Sequence, residues 1–253
     1  MLAKNDWRGF PYSMRRLLRL SVLFLIAGPG HALMNIATVG DSLADSVYLG
    51  IKSQPQFMKK HEVSLTRWSR PSIGLTRIDF FDYPGWLRGT NDLGRADFCV
   101  VEMGANDVQS ISVGQNKWVA AGTAEWQRRY TERLEEMAGT LKTQRCQEVV
   151  WLLQPAYQGN RFLNQHHTMI NSVQLSGLKS TSIQAFEIAS TENDYQHDGI
   201  HFNGPFALKL GQAVVRLAES WRQFATGNCA DCHTSARYEE IAPDEISPLV
   251  LVR

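Results

Sequence analysis

Five short apolar runs, alternating with segments of helical periodicity, constrain this chain more than any other feature. The runs span residues 34–39, 63–68, 98–103, 149–153 and 183–188. Residues 43–51 place apolar side chains on one face. Residues 118–141 set Trp126, Tyr130, Leu134 and Met137 at three- or four-residue spacing, and residues 162–173 read as a further helix. Pro205 can open a last helix reaching about residue 224, because its fixed φ and missing N–H do no harm in a first turn. Strands that alternate with helices predict a parallel sheet covered on both faces. The expected fold is therefore an α/β three-layer α/β/α sandwich with a central five-stranded parallel sheet, whose ligands sit beyond the carboxyl ends of the strands.

A length of 253 residues suits one such domain and leaves no room for two of ordinary size. The amino-terminal stretch differs from the rest. Lys4, Arg8, Arg15, Arg16 and Arg19 precede an apolar run over residues 20–27, which Pro29 and Gly30 break before the small residues around Ala32. The run is shorter than the roughly 20 residues that span a bilayer. It is read as a cleaved secretory signal over residues 1–32, leaving no stable membrane span and a periplasmic or secreted protein. An uncleaved anchor and a buried helix are the other readings. Without residues 1–32 the chain carries 21 basic and 24 acidic residues, a net charge of −3. No basic run is present to neutralise phosphates, so nucleic acid is not an expected partner. The catalytic-type domain is placed at residues 33–226 and a tail at residues 227–253.

Three motifs follow strand ends. Gly40-Asp41-Ser42 joins the first run to the first helix, where a serine gains an exposed hydroxyl and a helix N-terminus that favours negative charge. Alone it is equally a turn and a helix cap. Gly104-Ala105-Asn106-Asp107 follows the third run and can present the Asn106 amide to the same rim. Asp198-Gly199-Ile200-His201 precedes the last helix, at a spacing that lets the carboxylate fold back on one ring nitrogen while the other faces the serine. The neighbouring His197 permits a metal reading, but no second histidine pair or cysteine cluster is spaced to complete it. No metal is expected.

Taken in order, Gly-Asp-Ser, a central glycine, Gly-x-Asn-Asp and Asp-x-x-His resemble the four blocks of the SGNH (GDSL-like) hydrolase superfamily, whose sheet is flavodoxin-like. The segments at residues 39–45, 72–84, 103–107 and 198–202 are more closely similar to a bacterial envelope branch formerly known only as a domain of unknown function. The resemblance implies Ser42 as nucleophile, His201 as base and Asp198 as its orienting carboxylate. It implies an oxyanion hole of Ser42, Gly74 and Asn106. Gly74 rests on the family resemblance alone, since spacing does not single it out among the glycines of residues 74–94. Asp41, Asp107 and Trp86 are expected substrate contacts, Trp86 because a flat aromatic face can cover a sugar ring. Gln154-Pro155 departs from the branch, which has a glycine before the proline. The implied activity is removal of acyl groups, foremost acetyl, from an envelope or extracellular glycan. The alternatives are acyl transfer to a sugar with the same triad, or a non-catalytic glycan-binding or assembly protein.

Four cysteines remain. Cys99 reads as a buried apolar residue in a strand and Cys146 lies before the fourth run; whether they pair is left open. Cys229-Ala230-Asp231-Cys232-His233 matches the attachment pattern of a c-type haem. Only twenty residues follow it, with no methionine or histidine among them as a second axial ligand. A local disulfide or redox pair is preferred to haem there, and no cofactor is expected.

Overall fold

The computed structural model describes residues 33–227, 238 and 241–252. The leader expected over residues 1–32, and Cys229, Cys232 and His233, lie outside the described residues. Among the described residues eight strands and six α-helices follow in chain order: β1 (Met34–Gly40), α1 (Ser42–Lys52), α2 (Pro55–Lys60), β2 (Val63–Arg67), α3 (Tyr83–Gly89), β3 (Ala96–Glu102), β4 (Ile111–Ser112), β5 (Trp118–Val119), α4 (Ala124–Thr140), β6 (Cys146–Leu152), α5 (Arg161–Leu178), β7 (Gln184–Ile188), α6 (Gly204–Ala225) and β8 (Leu249–Leu251). The main sheet runs β2-β1-β3-β6-β7-β8. The five expected strands are all parallel, and β8 adds an antiparallel edge to β7, pairing Phe186 with Leu251 and Ile188 with Leu249.

The central strands β1, β3 and β6 are apolar on both faces over most of their length because the period of two sends alternate residues into two separate cores. Ile36, Phe98, Val100, Val150 and Leu152 face one, with Val47, Ile51, Leu210 and Val214 of α1 and α6. Ala37, Val39, Val101, Val149 and Trp151 face the other, with Leu87, Tyr130, Leu134 and Ile170 of α3, α4 and α5. On the first side α1 and α6 approach through glycines. A Cβ on Gly50 would lie 2.0 Å from the Ala207 carbonyl oxygen, and one on Gly211 would lie 2.7 Å from the Ile51 nitrogen.

Two expectations change. The last part of the proposed tail belongs to the sheet, since β8 completes its edge; three residues with no flanking strand signal carry too little periodicity to be read in advance. The helix expected over residues 118–141 begins at Ala124, where the Thr123 hydroxyl accepts from the Trp126 N–H at 3.3 Å. Before it, Gly114 and Gly122 take positive φ, and Trp118 lies in the small β4–β5 hairpin. Cys99 is buried as expected, and the pairing left open by the sequence is made: it is bonded to Cys146 on the neighbouring strand, with Cα atoms 5.9 Å apart. Among the described residues no helix is long and apolar enough to cross a membrane.

The bridge closes 47 residues of chain and is buried at both ends. Replacing both cysteines by alanine should lower unfolding free energy by about 2–4 kcal/mol, from the loop entropy returned to the unfolded chain. Urea unfolding of wild type and double variant checks this, and a difference within error would contradict it.

Candidate active site

Strand order reverses beside β1: the chain leaves β1 for β2 on one flank and returns at β3 on the other. The loops after β1, β2, β3 and β7 therefore share one rim, as open α/β sheets require of a ligand site. Gly40 ends β1 at φ +132°, and a Cβ there would lie 1.7 Å from the Glu102 carbonyl oxygen. Only glycine allows this approach of strand ends. The Asp41 N–H donates to the same carbonyl at 3.2 Å, and the Gly40 N–H donates to the Tyr83 hydroxyl at 3.0 Å. Asp41 caps α1 by accepting from the Leu43 N–H at 2.9 Å, which makes Ser42 the first helical residue.

The β7–α6 loop brings the other half. Asp198 Oδ1 accepts from the N–H groups of Ile200 and His201 at 2.9 and 3.0 Å, and Asp198 Oδ2 lies 2.6 Å from His201 Nδ1. An ionised carboxylate only accepts, so Nδ1 carries the hydrogen and Nε2 presents a lone pair. His201 Nε2 lies 2.9 Å from Ser42 Oγ. Partial burial pushes the Asp198 carboxyl up, but the hydrogen bonds from His201 and the two N–H groups outweigh it and hold the group below the usual carboxylate range. Gly199 makes the tight turn at φ +65°, packed on Gly159, where a Cβ would lie 2.7 Å from its α-carbon. The structure thus brings Ser42, His201 and Asp198 into one hydrogen-bonded line.

Gly74 and Asn106, the other residues expected at the site, meet at the turn after β3. Asn106 Nδ2 donates to the Ile73 carbonyl at 3.0 Å, fixing the plane of the Ile73–Gly74 peptide and with it the direction of the Gly74 N–H. Its second contact, to Asp41 Oδ2, is long at 3.4 Å. A Cβ on Gly74 would lie 2.2 Å from Asp107 Oδ1, so this position also requires glycine. Gln109 donates to the Asn106 carbonyl at 2.8 Å and its own carbonyl accepts from the Trp126 indole at 2.7 Å, tying the turn to α4.

Two expected substrate contacts are corrected. Asp41 and Asp107 are both 0% exposed and bind the protein instead. Asp107 accepts from the Thr76 N–H at 3.1 Å and from the Tyr130 hydroxyl at 2.9 Å; burial pushes its carboxyl up to about 6 against those donors. Asp41 accepts from Leu43 and from the Gly104 N–H at 3.3 Å. Trp86 is half-buried, stacked 5.4 Å from Tyr83 with the Arg70 guanidinium over it. Among the described residues the tryptophan left open is Trp118, 50% exposed with Arg77 at 5.4 Å.

Sequence reasoning missed a buried group behind this turn after β3. Glu102 ends the apolar run of β3 and is 0% exposed. Its Oε1 accepts from Gln154 Nε2 at 2.7 Å, and Tyr157 donates to Gln154 Oε1. Gln154 also fills the space beside Gly104, where a Cβ would come within 2.9 Å of its side chain. The departure noted at Gln154 is therefore a polar floor under the β3 turn. An acid closing an apolar run was the signal for Glu102. Among the described residues no three His, Cys, Asp or Glu side chains are grouped so that they could hold a metal ion.

Solved structures share this arrangement of sheet and helices. A lipase/acylhydrolase from Enterococcus faecalis is 17% identical with a TM-score of 0.51, covering 72% of this chain and 94% of its own. An acetylxylan esterase from Geobacillus stearothermophilus, solved as a catalytic mutant, is 10% identical with a TM-score of 0.53, covering 73% and 94%. At such identities the likeness shows the fold alone, a mainly parallel sheet flanked by helices. No curated protein matches the chain. The family model described as "Protein of unknown function (DUF459)" matches residues 35–203, and the chain belongs to that family.

Proposed function

We propose that this protein is an exported serine esterase that removes acyl groups, foremost acetyl, from an envelope or extracellular glycan. The observation that carries the reading is the line Asp198–His201–Ser42, with contacts of 2.6 and 2.9 Å, set beside Gly74 and Asn106. Hydrogen-bonded to a neutral imidazole whose tautomer is fixed by a carboxylate, Ser42 can lose its proton to Nε2 as its oxygen adds to an ester carbonyl. The N–H groups of Ser42 and Gly74, with the loosely held hydrogen of Asn106, offer donors to the resulting oxyanion. His201 then returns the proton to the leaving alcohol, and an incoming water repeats the sequence in reverse to free the acid.

Hydrolysis is favoured over transfer because the His201 and Asp198 side chains are 37% and 43% exposed, so water has open access to an acyl-serine. Three observations support an exported glycan esterase: the Cys99–Cys146 bridge suits an oxidising compartment, the leader-like residues 1–32 suit export, and the rim offers the open ring of Trp118. The acetylxylan esterase that shares the fold acts, by its name, on an acetylated glycan.

With a chromogenic acetyl ester, wild type should turn over and Ser42→Ala should not. Equal signals from the two would sink the reading. Asn106→Ala should lower kcat about a hundredfold with little change in KM, as for loss of one oxyanion donor worth about 3 kcal/mol; a change confined to KM would reassign the residue to ground-state binding. Acetylated oligosaccharides followed by mass spectrometry should show loss of acetyl groups, and their appearance on an added acceptor sugar would favour transfer.

A further inference from the structure

Behind the oxyanion corner two carboxyl groups meet out of water. Asp41 and Glu102 are both 0% exposed, at strand ends joined by the bond from the Asp41 N–H to the Glu102 carbonyl. Glu102 Oε1 is occupied by Gln154, while Glu102 Oε2 is buried with no donor to accept from. Two ionised carboxylates this close out of water repel each other, and a bare buried carboxylate oxygen is costly, so the pair keeps one proton. Burial raises both carboxyls, but Asp41 has the N–H donors of Leu43 and Gly104, which favour its charged form, whereas burial and the charge of Asp41 push the Glu102 carboxyl well above the ordinary range; Glu102 is the group that keeps the proton.

We propose that Glu102 is a positioning residue of the oxyanion corner: as a carboxylic acid it donates to Asp41, satisfying an acceptor that would otherwise draw in the Asn106 amide. The 3.4 Å separation between Asn106 Nδ2 and Asp41 Oδ2 is the geometry this requires. Asp41 with three donors leaves the second Asn106 hydrogen loosely held and ready for an oxyanion; Asp41 without Glu102 would take it. The catalytic half of this inference rests on the esterase reading, and the shared proton stands apart from it.

The surroundings identify no other source of that proton. Gln154 is spent on Glu102 and Tyr157. The hydroxyls of Tyr157 and Tyr195, which feel the charge of Glu102, stay protonated because burial raises both, Tyr195 to about 12. Tyr83 and Asp107, which feel Asp41, hydrogen-bond elsewhere, Tyr83 donating to the Trp68 carbonyl.

A carboxyl raised on folding binds its proton in the native state where the unfolded chain has lost it, so native stability falls as pH rises above the ordinary glutamate value of about 4.5. Glu102→Gln keeps a donor for Asp41 and an acceptor for Gln154 but has no proton to lose. Its Tm relative to wild type should therefore climb as pH is raised, and a constant difference would overturn the shared proton whether or not the protein has esterase activity. On the chromogenic ester, Glu102→Gln should keep kcat within about threefold of wild type near neutral pH and lack any alkaline fall that wild type shows. Glu102→Leu, confirmed folded by circular dichroism, should lose tenfold or more in kcat with KM little changed. Equal losses for the two variants, or identical alkaline limbs in wild type and Glu102→Gln, would overturn the positioning role. Should Glu102→Leu fail to fold, the Glu102→Gln comparison decides alone.

Discussion

The contact on which the site depends is the approach of two parallel strand ends, Gly40 of β1 against the Glu102 carbonyl of β3. It sets the serine turn beside the Gly104–Asp107 turn, and no side chain at residue 40 could share that space. Once the ends meet, the Asp41 N–H and carboxyl tie the β1 turn to the end of β3, at Glu102 and at Gly104. The rest of the rim is laid on this seam, with Gly74 pressed against Asp107 from one flank and the Asp198–His201 loop delivered by β7 from the other.

The polar groups divide into those that face solvent and those that hold the scaffold. Ser42, His201 and Asp198 are part-exposed, while Asp41, Glu102, Asp107 and Gln154 are nearly or wholly buried and hydrogen-bonded among themselves and to backbone N–H groups. Buried polar groups that find partners add rigidity, and an unmet one costs about 1–3 kcal/mol. A buried polar layer behind a part-exposed serine holds N–H donors in fixed positions, the preorganisation that the proposed oxyanion chemistry requires.

Much of this was legible in the residues. The parallel strands were readable because the central ones are buried on both faces and so largely apolar, and the three motifs fell after strand ends, where parallel topology gathers loops on one rim. Elements below the length of a periodic signal were not readable: β8 is three residues and the β4–β5 hairpin four. Burial of individual acids was not legible either. Asp41 and Asp107 sit beside Ser42 and Asn106 in sequence, yet a turn sends neighbouring side chains in opposite directions, one to the rim and one to the core. The Cys99–Cys146 bond joins adjacent strands whose alignment sequence alone does not reveal.

The central claim is that Ser42 is an activated nucleophile, and covalent labelling tests it most directly. A fluorophosphonate probe followed by peptide mass spectrometry should place the phosphonyl adduct on Ser42, at a rate that falls at least a hundredfold in His201→Ala. An adduct on another residue, or labelling of Ser42 at the same rate without His201, would contradict the account.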